Sequence, residues 1–360
     1  MERTERLCTK AIILLSSIMI GFTWLLGVGI TRYCFFAIMA LSVVLFFISG
    51  LEKKQMIYLF LICAFSFLDY LIYGGILVNI IIFITSIMLA MYFYRRGISH
   101  DNWLFFVFCA HILGITFVLL YFLRPDYNEY GFLRLYFDNP NMAGIVLSSI
   151  TIVIAISFVE FKNKYLCATS IFLMLFEVYL VYLTNNRGSF LTIIVVVIFA
   201  TIIKFGKNER KIGRNVVKNI LLLMPIIVMI GYVLMMRIFP LDAVFMGKPL
   251  FSGRELAWKK AIEDLLSNPF KHHAYHAGTL NLFLEGAKRF GIYSIVTYFV
   301  YFSSIKYPSN KYNKTQYVAY YSFFMCMFQQ SFESTLITGS FCVYVWIYLL
   351  LAIASKGNNK

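Results

Sequence analysis

Apolar runs long enough to cross a bilayer alternate with short polar breaks along nearly the whole chain. A crossing helix needs about 20 mainly apolar residues, at ~1.5 Å each, to traverse ~30 Å of hydrocarbon, and about twelve runs meet that need. They fall near 11–30, 33–50, 56–73, 75–94, 103–123, 140–158, 165–183, 189–204, 219–236, 290–304, 316–333 and 336–354. The pattern predicts an all-α polytopic membrane protein, one integral-membrane domain over residues 1–360. The first run is too long, and too lacking in a small-residue cleavage site, for a removable signal peptide, so it is expected to stay as an anchor. One polar interval outlasts the others, and residues 237–290 are expected to form a large extracytoplasmic loop.

Within that loop lies SGRELAWKKAIEDLLSNPF. Ser252 with Glu255 three residues on forms a capping box, so a helix is predicted from Gly253 to Asn268, where Pro269 stops it. Arg254, Trp258, Ile262 and Leu265 recur at helical spacing on one stripe, while Glu255, Lys259, Lys260, Glu263 and Asp264 occupy the other sides. An arginine on the apolar stripe is held against whatever the helix packs on, which suits it to bind an anion. The same pattern fits an interfacial helix with a snorkelling Arg254.

Composition agrees with the pattern. Hydrophobic residues make up 61% of the 360 and charged residues 14%, and the mean hydropathy is +0.77, far from a soluble domain. With the N-terminus inside, twenty of the 32 basic residues fall in inside loops, which sets the orientation and makes both termini cytoplasmic. Eight of the other twelve lie between Arg237 and Arg289, against the trend. Basic groups outside the membrane point to an anionic partner there, and nucleic acid is not expected in that place. The cytoplasmic charges of KFGKNERKIGRNVVK are explained by topology and anionic lipid. The seven cysteines lie in or beside spans without a C-x-x-C pair and read as small apolar residues.

Several polar positions inside the apolar runs stand out. Asp69, in the outer part of the third run, needs a partner at that depth. His111 reads as a hydrogen-bonded core histidine. Asn139 is placed to cap a helix whose first residue is Pro140, with Asn141, Ala143 and Gly144 keeping the first turn slim. Glu177 lies within the seventh run and is expected to face the bundle interior. Just beyond it, TNNRGSFL sets Arg187 at the start of the next helix. Free N–H groups there carry roughly half a positive charge, and the adjacent guanidinium makes an anion site suited to phosphate. An interfacial arginine paired with Glu177 is the competing reading.

Three segments together, TNNRGSFL, FSGRELAWKKAIEDLLSNPF and TLNLFLEGAKRFGI, in this order with spans between them, resemble the O-antigen ligase and polymerase superfamily of bacterial envelope glycan assembly. FDNPNMAG is similar to its asparagine-bearing helix start. The resemblance covers about Asp138 to Gly291. It implies a glycosyltransferase on the outer face of the cytoplasmic membrane, acting on sugars carried by undecaprenyl pyrophosphate. Arg187 and Arg254 match the arginines that bind the pyrophosphate in that family. A lipid diphosphate gains charge as the glycosidic bond breaks, so fixed cations beside it favour the transition state. No D-x-D pair is present to hold a metal and a nucleotide sugar, and His272, His273 and His276 lack acidic or cysteine partners at ligand spacing, so no metal and no cofactor are expected.

The chain departs from the ligase pattern at one place. Asn281 matches the asparagine of a His-Asn pair, but Leu280 stands where the ligases have the histidine thought to activate the acceptor. His276 and Glu285 are the nearest candidates for a general base, with His276 preferred; a late proton transfer would need none. The departure favours the polymerase branch, of Wzy type. The expected activity is therefore a polysaccharide polymerase, with a glycan ligase as the first alternative and a lipid-linked oligosaccharide flippase or transporter as the second. Arg187, Arg254 and His276 are the expected catalytic residues, with Asn141, Glu177, Lys259, Asn281 and Arg289 around the substrate. A chain-length regulator and a flippase are further expected partners.

Overall fold

The computed structural model describes residues 2–50, 52–74, 76–206, 214–235, 238–240, 243–245, 248–249, 254–267, 281–306, 313–338 and 342–355. In chain order these form α1 (Glu2–Ser49), α2 (Lys53–Tyr73), α3 (Leu77–Arg96), α4 (His100–Leu123), α5 (Pro140–Glu160), α6 (Lys164–Leu183), α7 (Arg187–Phe205), α8 (Arg214–Leu222) and α9 (Met224–Met235). A two-residue antiparallel pairing, β1 (Val244–Phe245) with β2 (Lys248–Pro249), follows. Then come α10 (Arg254–Ser267), α11 (Leu282–Phe290), α12 (Ile292–Ser303), α13 (Lys314–Gln330), α14 (Thr335–Thr338) and α15 (Val343–Ser355).

Among the described residues, seven helices are long and apolar enough to cross a membrane, or eight if α8 and α9, bent by 62° where they meet, form one crossing. The chain is thus a multi-pass α-helical membrane protein. α5, α13 and α15 are buried along nearly their whole lengths and make the centre. α2 and α6 turn large apolar side chains outward, among them Phe60, Leu71 and Leu175. Such continuous apolar faces are stable against lipid tails and not against water.

Sequence places two runs, 11–30 and 33–50, where the structure has the single helix α1. The two readings meet in its path. Arg96 reaches Glu5 (3.5 Å) with the same Nη2 that donates to the Ser49 carbonyl (2.9 Å), and Asn102 Nδ2 donates to the Arg6 carbonyl (3.1 Å). In a straight helix Glu5 and Ser49 would stand about 66 Å apart. α1 therefore returns to the end of the bundle from which it started, its halves antiparallel.

That end is basic. Arg3, Arg6, Lys10, Lys53, Arg95, Arg96, Lys162, Lys204, Lys218, Lys306 and Lys314 gather there, tied together by contacts such as Lys218 Nζ to Ser303 O (2.5 Å) and Lys314 Nζ to Gly206 O (3.3 Å). The opposite, distal end holds the turns 124–139, 184–186 and 331–334.

Midway, Glu177 is fully buried, as its sequence position demands. Thr151 Oγ1 of α5 donates to its Oε2 (2.9 Å), and α4 passes close because residue 114 is glycine. A Cβ at Gly114 would lie 2.4 Å from Glu177 Oε1. His111, one turn earlier on α4, sits 3.1 Å from Ser170 Oγ of α6, the core contact expected of it. Asp69 of α2 lies against the backbone of Gly291, where a Cβ would come within 3.0 Å of Oδ1.

Two tests follow from this packing. In a background without native cysteines, Glu5→Cys with Ser49→Cys should be joined by a short bis-maleimide within one chain; failure to join them would mean that α1 runs straight. Gly114→Ala should lower stability by about 1–3 kcal/mol, read as a lower melting temperature in detergent, with Glu177→Asp restoring part of the loss.

Candidate functional site

Three residues turn α6 into α7 at the distal end. Thr184 closes α6, its Oγ1 donating to Val181 O (2.7 Å). Asn185 takes a left-handed backbone (φ 54°), a conformation that asparagine tolerates better than most residues. Asn186 then caps α7, its Oδ1 accepting from Ser189 N (3.0 Å). The Asn186 Nδ2 donates across to Asn141 O (2.9 Å) in the first turn of α5. Gly144 makes that approach possible, since a Cβ there would lie 2.6 Å from Asn186 Cβ. α5 begins as the sequence predicts: Asn139 Oδ1 accepts from Met142 N (3.1 Å), and Pro140 is the first helical residue. The N-termini of α5 and α7 are thereby locked side by side.

Arg187 is the first residue of α7, and its side chain is partly buried. Its neighbour Gly188 lies against the ring of Phe332, where a Cβ would come 3.1 Å from Cδ2. Phe332 in turn stacks on Trp258 (centroids 6.5 Å, 25°) and meets Tyr232 of α9 (6.4 Å), while Tyr232 and Trp258 are 4.9 Å apart. Trp258 is fully buried in this cluster, one turn after Arg254, the first residue of α10. The helix predicted over 253–268 is thus present over Arg254–Ser267, and its apolar stripe is the docked face. The side chains of Ser252, Arg254 and Leu265 lie outside the described residues, as does all of His276.

A third N-terminus joins the group. Asn281 is fully buried and caps α11, its Oδ1 accepting from Phe283 N (3.0 Å) and Leu284 N (3.1 Å). Its Nδ2 donates to Pro225 O (2.9 Å) at the start of α9 and to Ser331 O (3.0 Å), beside Phe332. One side chain thus joins α9, α11 and the turn after α13. Gln329 adds a link between α13, α5 and α7, its Nε2 lying 2.7 Å from both Ser148 Oγ and Ser189 Oγ.

The structure brings Asn141, Arg187, Asn281 and the α10 helix to one place. It separates others from it. Glu177 faces α4 and α5, with Thr151 as its partner instead of Arg187. Lys259 lies on the exposed side of α10. Arg289 pairs with Glu285 one turn earlier on α11 (2.5 Å), which also ties up the carboxylate considered as a base. The turn 331–335 was missed by sequence reasoning, because its polar residues were assigned to the ends of two spans. The run QQSFEST is its signal, and it places the buried Glu333 beside Phe332 at this end.

Chemically, the site offers helix N-termini whose leading N–H groups favour negative charge, together with an arginine at the first position of one of them. Among the described residues no three His, Cys, Asp or Glu side chains converge as a metal set would. Asn281→Ala should cost at least about 2 kcal/mol, since it removes a cap and leaves two buried carbonyls without donors. Asn281→Asp should recover the cap share alone; wild-type melting of either variant would contradict this account. Compared with known protein families, curated proteins and solved structures, the chain has no match.

Proposed function

We propose that the chain is a polysaccharide polymerase that joins oligosaccharide repeat units carried on undecaprenyl pyrophosphate. The observation that carries this reading is the gathering of Arg187, the N-termini of α5, α7 and α11, and the docked face of α10 at the end of the bundle opposite its basic end. In this reading the fold has twelve crossings, with α1 contributing two and α8–α9 one. The basic end and both termini are cytoplasmic under the positive-inside rule, and the site opens outside the cytoplasmic membrane. The resemblance of the three motifs to the ligase and polymerase superfamily supports the same assignment.

Arg187 and Arg254 clamp the donor pyrophosphate. The acceptor hydroxyl attacks the anomeric carbon, the bond from that carbon to the pyrophosphate oxygen breaks, and the leaving lipid pyrophosphate takes the electron pair. The hydroxyl loses its proton to a base for which His276 remains the candidate, since Glu285 is paired with Arg289. Negative charge grows on the pyrophosphate through the step, so cations and N–H dipoles fixed there stabilise the transition state more than the ground state. A ligase is disfavoured by Leu280 in the place of the ligase histidine. A flippase would want cations through the bundle interior, and the described ones lie towards its ends.

The test is purified protein with one repeat unit on undecaprenyl pyrophosphate, followed by mass analysis of the glycan. A ladder of multimers with release of the lipid pyrophosphate is expected. Arg187→Lys should lower kcat by about 10²-fold, since an ammonium does not reproduce the bidentate contact. Near-normal polymer from that variant removes Arg187 from the site. Transfer to a non-pyrophosphate acceptor without multimers would make the protein a ligase.

A further inference from the structure

One face of α13 carries Tyr317, Tyr321, Met325 and Phe328 at helical spacing, and the stripe continues to Phe332 just past the helix. Towards the basic end it is closed. Phe199 of α7 packs on Tyr317 (5.4 Å) and Tyr321 (5.7 Å), and both tyrosines are buried. Towards the distal end the same face opens: Met325 and Phe328 are half-buried, while Cys326, Met327 and Gln329 around them are fully covered.

The facing stripe on α7 behaves alike. Gly188, Thr192, Val195 and Phe199 share one side of that helix, and Val195, level with the opening, is 50% exposed. On the other flank, the 62° bend between α8 and α9 takes α9 off the line of α8. What remains is an apolar slot in the membrane face, about 16 Å long between Tyr321 and Phe332. Its inner end is blocked by Phe199. Its outer end stops at Phe332, which pairs with Phe328 (5.7 Å) and lies against Gly188, the residue after Arg187.

We propose that this slot seats the first part of the isoprenoid tail of the pyrophosphate-linked donor, with its pyrophosphate at Arg187. The inference rests on the polymerase reading for the identity of the lipid. Charge complementarity selects the occupant: a cation and a helix N-terminus stand at the mouth of an apolar track, so the ligand has a dense anionic head joined directly to hydrocarbon. The blocked inner end fixes how deep the tail enters, and so sets the height of the head beside Arg187. A bulkier residue at 188 would push Phe332 away and break the step between tail and head.

The test replaces Phe328 with p-benzoylphenylalanine and, separately, Ile198, a strongly exposed residue on the outer side of α7. Each protein is irradiated in phosphatidylethanolamine and phosphatidylglycerol vesicles containing undecaprenyl pyrophosphate, then weighed intact. Capture of the isoprenoid pyrophosphate from position 328 and of phospholipid from position 198 is expected; phospholipid at both overturns the slot. In turnover, Met325→Trp should raise KM about tenfold for the undecaprenyl donor at unchanged kcat, and leave a geranyl-tailed donor unaffected. An equal loss with both donors would also overturn it. Cross-linking needs no turnover, so capture at 328 by a protein that makes no polymer would keep the slot and remove the polymerase reading.

Discussion

A helix that ends in or near lipid leaves its last carbonyls and first N–H groups without partners, and the bilayer offers none. Much of this structure answers that constraint. At the basic end, side chains take the carbonyls: Lys204 Nζ those of Phe158 (2.5 Å) and Phe161 (2.6 Å) after α5, Lys218 Nζ those of Ser303 and Ile305 after α12, and Lys314 Nζ those of Lys204 and Gly206 after α7. Arg95 and Arg96 do the same for Gly50 and Ser49 after α1. The positive charges that orient the chain are therefore also caps that complement the negative ends of helices. Anionic lipid is not needed to explain them.

The N-termini are answered differently. Asn139, Asn163, Asn186, Asn281 and Asn313 each accept from a backbone N–H of the helix they precede. Three of these caps, on α5, α7 and α11, lie at the distal end and are cross-linked, because Asn186 and Asn281 spend their amide hydrogens on carbonyls of other segments. An asparagine cap leaves the positive end of the helix dipole in place. The basic end thus neutralises the partial charge of its helix termini, whereas the distal end concentrates it and adds Arg187.

Much of this was legible from local rules. Asn139 with Pro140, the TNNRG turn and the α10 helix fall where capping residues put them, because their geometry depends on neighbours within one turn. The burial of Glu177 followed from the cost of a carboxylate at its depth. What sequence left open depends on contacts between distant segments. Nothing near Glu177 in sequence reveals that Gly114 would admit it or that Thr151 would bond it. Glu285 read as a candidate base until its pairing with Arg289 was seen. The turn 331–335 was hidden because hydropathy averages QQSFEST into the apolar runs on either side, and Phe332 matters through Gly188 and Trp258, 144 and 74 positions upstream.

The two arginines of the proposed clamp stand on elements held with unequal strength. Arg187 starts a helix fixed to α5 by Asn186 and to α13 by Gln329, at the edge of the central core. Arg254 starts α10, which meets the described bundle through Trp258 and its neighbours on α9, α11 and Phe332. A pyrophosphate held by both would bind the docked arrangement better than an undocked one, and by linkage would stabilise α10 against the bundle. Donor binding and closure of the loop over the site are then one equilibrium. In that arrangement the cations surround the leaving group while the donor is seated, and release of the lipid pyrophosphate loosens the same contact.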